Sequence, residues 1–315
     1  MDAIGGYFSL ELPLWEEFHK KAIRLNTGRN CLEYILRARG YKKVYVPLYT
    51  CEAIMEPINK LGIQFEFYHI DIHFEINEYI TLKECEVLFY TNYFGLKQRY
   101  VEQLVDKFGS RLIIDNTQAF YAKALPGIDT FYSCRKFFGV ADGAYLYCDK
   151  KLDDEIEQDY SFDRVAHLVR RIDLSAEEGF KFFRKVDNSL DNQPIRKMSK
   201  LTQRMMQGID YETAARRRRA NYQLLHEALG NENNLELYLE DDAIPMVYPY
   251  LKPEVGLREK LIENKIFVAR FWPNVLEWTN RDDMEYMFAF QMQPLPIDQR
   301  YSEYEINRII KIINT

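Results

Sequence analysis

Cysteine is scarce in this sequence, and none of it is paired in a recognisable motif. The five residues, Cys31, Cys51, Cys85, Cys134 and Cys148, are odd in number, widely spaced and free of any Cys-x-x-Cys pair. That pattern excludes a disulfide framework and a structural zinc site and points to a reducing compartment, so no metal is expected. Basic charge is also short: 42 Lys and Arg against 48 Asp and Glu leave a net charge of -6. A general nucleic-acid binder is therefore not expected, although a local basic pocket is compatible with the balance. The first residues, MDAIGGYFSLELPLWEEFHKK, contain no basic segment leading into an apolar run, and no later stretch has the apolar length needed to cross a bilayer. A cytoplasmic protein without a membrane partner is the expectation. Internal repeats and low-complexity tracts are missing as well.

What is present is a chain of 315 residues, 47% of them hydrophobic, long enough to bury a full core. Two lobes are expected, a large α/β domain over 1–205 with an N-terminal arm and a smaller α+β domain over 206–315. Through the first of these, helix-like and strand-like patterns alternate: NCLEYILRARG, KKVYVPLY, CEAIMEPINKLG and IQFEFYHID, then EVLFYTNYFG, QRYVEQLVDKFG, SRLIIDNTQAF, DTFYSCRK and GAYLYCDK. Short strands separated by single helices predict a mostly parallel central sheet flanked by helices. A polar, helical middle follows over 151–229, and its run Arg216 to Arg219 reads as a solvated helix face. In the last part, MVYPYLKP, KIFVARFW and MFAFQMQPLP read as strands between the helices GLREKLIENK and SEYEINRIIKIIN.

Ligands of an open parallel sheet collect at the carboxyl ends of its strands, so the residues just after each strand are the candidates. LIIDNTQAF delivers Asp115 to a strand tip with Gln118 a turn further on. Asp115 is either the cap of a following turn or a buried carboxylate that keeps a pyridine nitrogen protonated, as pyridoxal phosphate (PLP) requires. FYSCRKFFGVADGAYLY places Ser133, Arg135 and Lys136 after another strand. Phe137 and Phe138 directly behind Lys136 suggest partial burial, which would make its amine a usable nucleophile toward an aldehyde; the alternative is a lysine snorkelling from the sheet edge. Ser133 and Arg135 are donors suited to a phosphate. Thr27, Gly28, Arg29 and Asn30 precede a helix and form either an ordinary cap or a phosphate cradle of free amides. Tyr49 and Cys51 follow one strand and Tyr93 another, where aromatic rings either sandwich a cofactor or fill the core.

In this order the segments resemble the DegT/StrS-type sugar aminotransferases, fold type I PLP enzymes, along almost the whole chain. The places that carry the likeness are Thr27-Gly28, Pro47 with Thr50, Tyr93-Phe94-Gly95, Asp115 with Gln118, Ser133 with Lys136, and Asp142-Gly143. The resemblance implies Lys136 as the Schiff-base lysine and proton shuttle, and Asp115 on the pyridine nitrogen. It implies Gln118 near the ring hydroxyl, and Ser133, Gly28 and Arg29 at the phosphate. It further implies a homodimer in which Asn192 and Arg196 reach the partner's site. Cys51 stands where the family commonly has an aromatic residue on the PLP ring, which leaves Tyr49 or Tyr93 for stacking, or no stacking at all. The activity implied is transfer of an amino group, from glutamate as donor, to a keto sugar carried on a nucleotide in surface-polysaccharide or secondary-metabolite biosynthesis. PLP-dependent sugar dehydration and a non-catalytic binding role are the alternatives.

Overall fold

The computed structural model describes residues 4–315. Its centre is a seven-stranded sheet in the order β1-β7-β6-β5-β4-β2-β3. The strands are β1 (Ile23–Leu25), β2 (Lys43–Pro47), β3 (Gln64–Tyr68), β4 (Glu86–Thr91), β5 (Leu112–Asp115), β6 (Asp129–Ser133) and β7 (Ala144–Tyr147). The five from β3 to β6 run parallel, as the alternating pattern predicts. β7 is antiparallel to β6, and β1 antiparallel to β7. At its centre the sheet is buried on both faces, which explains why β4 reads as a continuous apolar run. Val87 and Phe89 pack into a core built on α1 (Gly28–Arg39) and α2 (Met55–Lys60), while Leu88 and Tyr90 face a second, larger core. The third helix, α3 (Gln98–Phe108), turns Val101, Leu104 and Phe108 into that larger core.

β1 is the element that the sequence pattern does not announce, yet it positions the first functional turn. Because β1 runs against β7 and β7 against β6, β1 ends at the same edge as β6. The register confirms this, with Leu25 opposite Ala144 and Ala144 opposite Ser133. The chain leaving Leu25 enters α1 at that edge. There Thr27 caps the helix, its hydroxyl accepting the Asn30 N–H at 3.2 Å.

The helical middle comprises α4 (Ala166–Asp173), α5 (Ala176–Ser189), α6 (Lys200–Met206) and α7 (Tyr211–Leu229). The remaining elements are β8 (Val247–Tyr250), α8 (Leu257–Glu263), α9 (Val275–Trp278), α10 (Met284–Gln291), β9 (Gln293–Pro296) and α11 (Glu303–Asn314). β8 and β9 form an antiparallel pair. Of the strands expected here, one is absent and one is shortened to β9, its last four residues. KIFVARFW forms no strand among the described residues: Lys265 has φ of 57° and Phe267 is exposed. The part MFAFQ is helix α10, an apolar run whose period alone does not separate strand from helix.

The arginine run also departs from a uniformly solvated face. Arg216 and Arg217 are exposed, but Arg218 is 1% exposed, and Arg219 donates to the Glu240 and Ala243 carbonyls. Arg218 donates to the carbonyls of Phe137 (3.2 Å) and Met246 (3.0 Å) and to Gln299 Oε1 (2.9 Å). Burial pushes its guanidinium down to about 10. No helix among the described residues is long and apolar enough to cross a membrane.

Candidate active site

Parallel strands ending at one edge bring Thr91, Asp115 and Phe131 into adjacent register positions, and Ser133 follows two residues on. Above that edge lies a cavity of about 180 Å³. Thr27, Gly28, Arg29, Cys51, Asp115, Gln118, Ser133 and Lys136 all line it, although they come from four separate segments of the chain.

Asp115 is 4% exposed at the tip of β5. Its Oδ1 accepts the Thr117 N–H at 2.7 Å, an Asx-type turn. Burial outweighs that bond and the field of Lys136, so the carboxyl is raised from 3.8 to about 6. Gln118 is buried beside it: Oε1 accepts the Phe94 N–H at 3.0 Å, while Nε2 has no partner among the described residues. At the other end, Gly28 opens α1. A Cβ there would lie 3.2 Å from Thr117 Cγ2 and 3.6 Å from the Phe131 ring, so glycine keeps the helix start close against the strand ends.

Lys136 ends a short 3-10 turn, Cys134–Lys136, immediately after β6. The burial suggested by its two neighbours is not found. Phe137 and Phe138 are 3% and 5% exposed and enter the core, whereas the Lys136 side chain is exposed at the cavity. Successive side chains in so tight a turn point in different directions, so two buried phenylalanines do not bury the lysine before them. Its Nζ lies 6.0 Å from the centre of the Phe271 ring.

Several other expectations change. Tyr49 and Tyr93 are both fully buried and do not line the cavity. Their rings stack on each other at 5.6 Å, Tyr93 donates its hydroxyl to the Tyr49 carbonyl at 2.8 Å, and Phe74 and Phe288 complete a core cluster. The Arg29 guanidinium, expected at a phosphate, is held by Glu56 (2.6 Å) and Asp191 (2.5 Å). Arg135 pairs with Asp187 of α5 at 2.9 Å. Asn192 is exposed and Arg196 half-buried, both outside the cavity of their own chain. Asp142 is a buried anchor, accepting the hydroxyls of Ser199 and Thr202. Lining groups outside the expected site residues include Thr117, Asp187 and Trp272. The Asp-x-Thr spacing is a legible signal for Thr117. Trp272 is far away in sequence and has none.

The mostly parallel seven-stranded sheet, with a small two-stranded sheet near the C-terminus, is an α/β fold like that of solved fold type I aminotransferases. No protein-family model matches the sequence, and neither does any curated protein. Solved structures do share the fold. NtdA from Bacillus subtilis with bound PMP superposes with a TM-score of 0.64 at 14% identity over 93% of this chain and 72% of that one. A DegT DnrJ EryC1 StrS aminotransferase from Brucella abortus gives 0.60 at 14% identity over 93% and 85%. The sugar aminotransferase CalS13 from Micromonospora echinospora gives 0.61 at 12% identity over 94% and 87%.

Proposed function

We propose that this chain is a PLP-dependent aminotransferase that takes a keto sugar, carried on a nucleotide, as amino acceptor and glutamate as donor. The observation that carries the reading is the convergence of Asp115, Gln118, Ser133, Gly28 and Lys136 on one cavity. The residues present fit the cofactor. A carboxyl raised to about 6 by burial and a buried amide Nε2 without a partner are the groups that a protonated pyridine nitrogen and a ring hydroxyl would satisfy. PLP supplies the electron sink on which the amino group is exchanged.

The roles of the chain's own groups follow. Asp115 would hold the proton on the pyridine nitrogen, and Thr117 N–H orients its carboxylate. The Ser133 hydroxyl and the free amides at the start of α1 would bind the phosphate, assisted by the positive end of that helix. Lys136 Nζ, exposed at the cavity, is the amine that would hold the cofactor and then carry the proton moved during transfer. Arg29 and Arg135 set the charge at the rim through their ion pairs with Asp191 and Asp187. A homodimer in the cytoplasm, with Asn192 and Arg196 directed to the partner's site, and a lobe boundary near residue 205 belong to the same proposal.

Titration of the purified protein with PLP tests it. A visible absorbance band is expected to form with bound PLP and to be lost in Lys136→Ala. A protein without such a band at saturating PLP, or a band unchanged in Lys136→Ala, refutes the reading.

A further inference from the structure

We infer that Trp272 is the aromatic wall against which the cofactor ring lies, a positioning residue contributed from far down the chain. The inference rests on the PLP reading of the cavity. Among the described residues, only two side chains lining the cavity carry rings, Phe131 and Trp272. Phe131 is fully buried in the sheet beneath Gly28 and belongs to the core under α1. Trp272 is thus the ring left to face a planar heterocycle, and the nearby Cys51 is too small to offer a flat surface.

The position of Trp272 is built rather than incidental. The indole is 8% exposed and packs at 59° against the Tyr49 ring, with centres 5.0 Å apart. Two residues on, Asn274 Nδ2 donates to the Thr50 carbonyl at 3.0 Å, tying this segment to the turn that carries Cys51. The preceding residue, Phe271, is the ring 6.0 Å from Lys136 Nζ, so the aromatic pair adjoins the amine that would hold the cofactor. The buried Tyr49 and Tyr93 support the wall from behind instead of forming it.

The test uses the full-length protein and PLP, with visible absorbance reporting binding and tryptophan emission reporting proximity. Trp272→Leu keeps apolar bulk but removes the ring. It is expected to weaken PLP binding about tenfold, while Trp272→Phe restores it to within about threefold. In the wild type, emission is expected to fall as PLP binds. Trp272→Phe is expected to lose most of that fall, and Trp278→Phe, whose ring packs on Phe67 away from the cavity, to keep it. Unchanged PLP affinity in Trp272→Leu, or full quenching in Trp272→Phe, overturns the role of Trp272 while leaving the PLP reading intact. A wild type that takes up no PLP overturns both.

Discussion

Asp115 is held in a form that costs the ligand-free protein stability. Its carboxyl is raised from 3.8 to about 6, chiefly by burial, so between about pH 4 and pH 6 the folded state binds more protons than the unfolded one. Stability from this group therefore falls as pH rises through that window, and above it the loss is on the order of 3 kcal/mol. Asp115→Asn keeps an oxygen for the Thr117 N–H and removes the charge. It is expected to raise the melting temperature of the ligand-free protein at pH 7.5, with the difference vanishing at pH 4; a variant less stable than wild type at pH 7.5 contradicts this. On the proposed function the same substitution also weakens PLP binding, because the group that opposes folding would be the one that holds the pyridine nitrogen's proton. At this scale the sequence is informative where a residue type has a chemical signature. Asp115, Gln118, Ser133 and Lys136 were legible from strand ends and spacing, whereas the direction of the Lys136 side chain depends on a turn geometry that residue identity does not disclose.

Within the elements, the join between β6 and β7 shows how local backbone serves the site. Gly143 sits just before β7 with φ of 106°, and its N–H donates to the Asn26 carbonyl at 2.6 Å. A Cβ there would meet Thr202 Cγ2 at 2.8 Å and Cys134 Sγ at 3.2 Å. Gly143→Ala therefore combines backbone strain with overpacking in a well-filled region and should cost about 2–4 kcal/mol, measured by denaturant unfolding. Gly40 also has positive φ, 69°, at the end of α1, but a Cβ there meets nothing. Gly40→Ala should cost only about 1 kcal/mol, and equal losses at the two glycines would remove the packing part of the argument. Parallel strands and their helices were readable because both periods are strong in this segment. β1 was not, since three residues without a pattern become a strand only by pairing with β7, more than a hundred residues later.

Across the whole molecule, Arg218 is the residue that joins distant parts. From α7 it reaches the Phe137 carbonyl next to Lys136, the Met246 carbonyl before β8, and Gln299 after β9; Gln299 Nε2 donates to the same Phe137 carbonyl at 2.8 Å. Arg218→Met fills similar space but leaves the Met246 carbonyl without this buried donor. The loss is expected to be about 3 kcal/mol, read as a lower urea midpoint with the slope unchanged. A loss no larger than that of Arg216→Met on the exposed face would show that these bonds add nothing. A charge run on a helix usually is solvated, so the run by itself puts all four arginines in solvent, and only the packing of α7 against other segments decides which one is buried. The same division holds for the site. The sequence by itself determined the α/β order and the chemical types delivered to one sheet edge, because strand periodicity and strand-end position are local properties. Which rings line the cavity, that Tyr49 and Tyr93 are core, that Arg29 is occupied by Glu56 and Asp191, and that Trp272 arrives from far along the chain were decided by tertiary structure, because each depends on contacts between segments that no local pattern encodes.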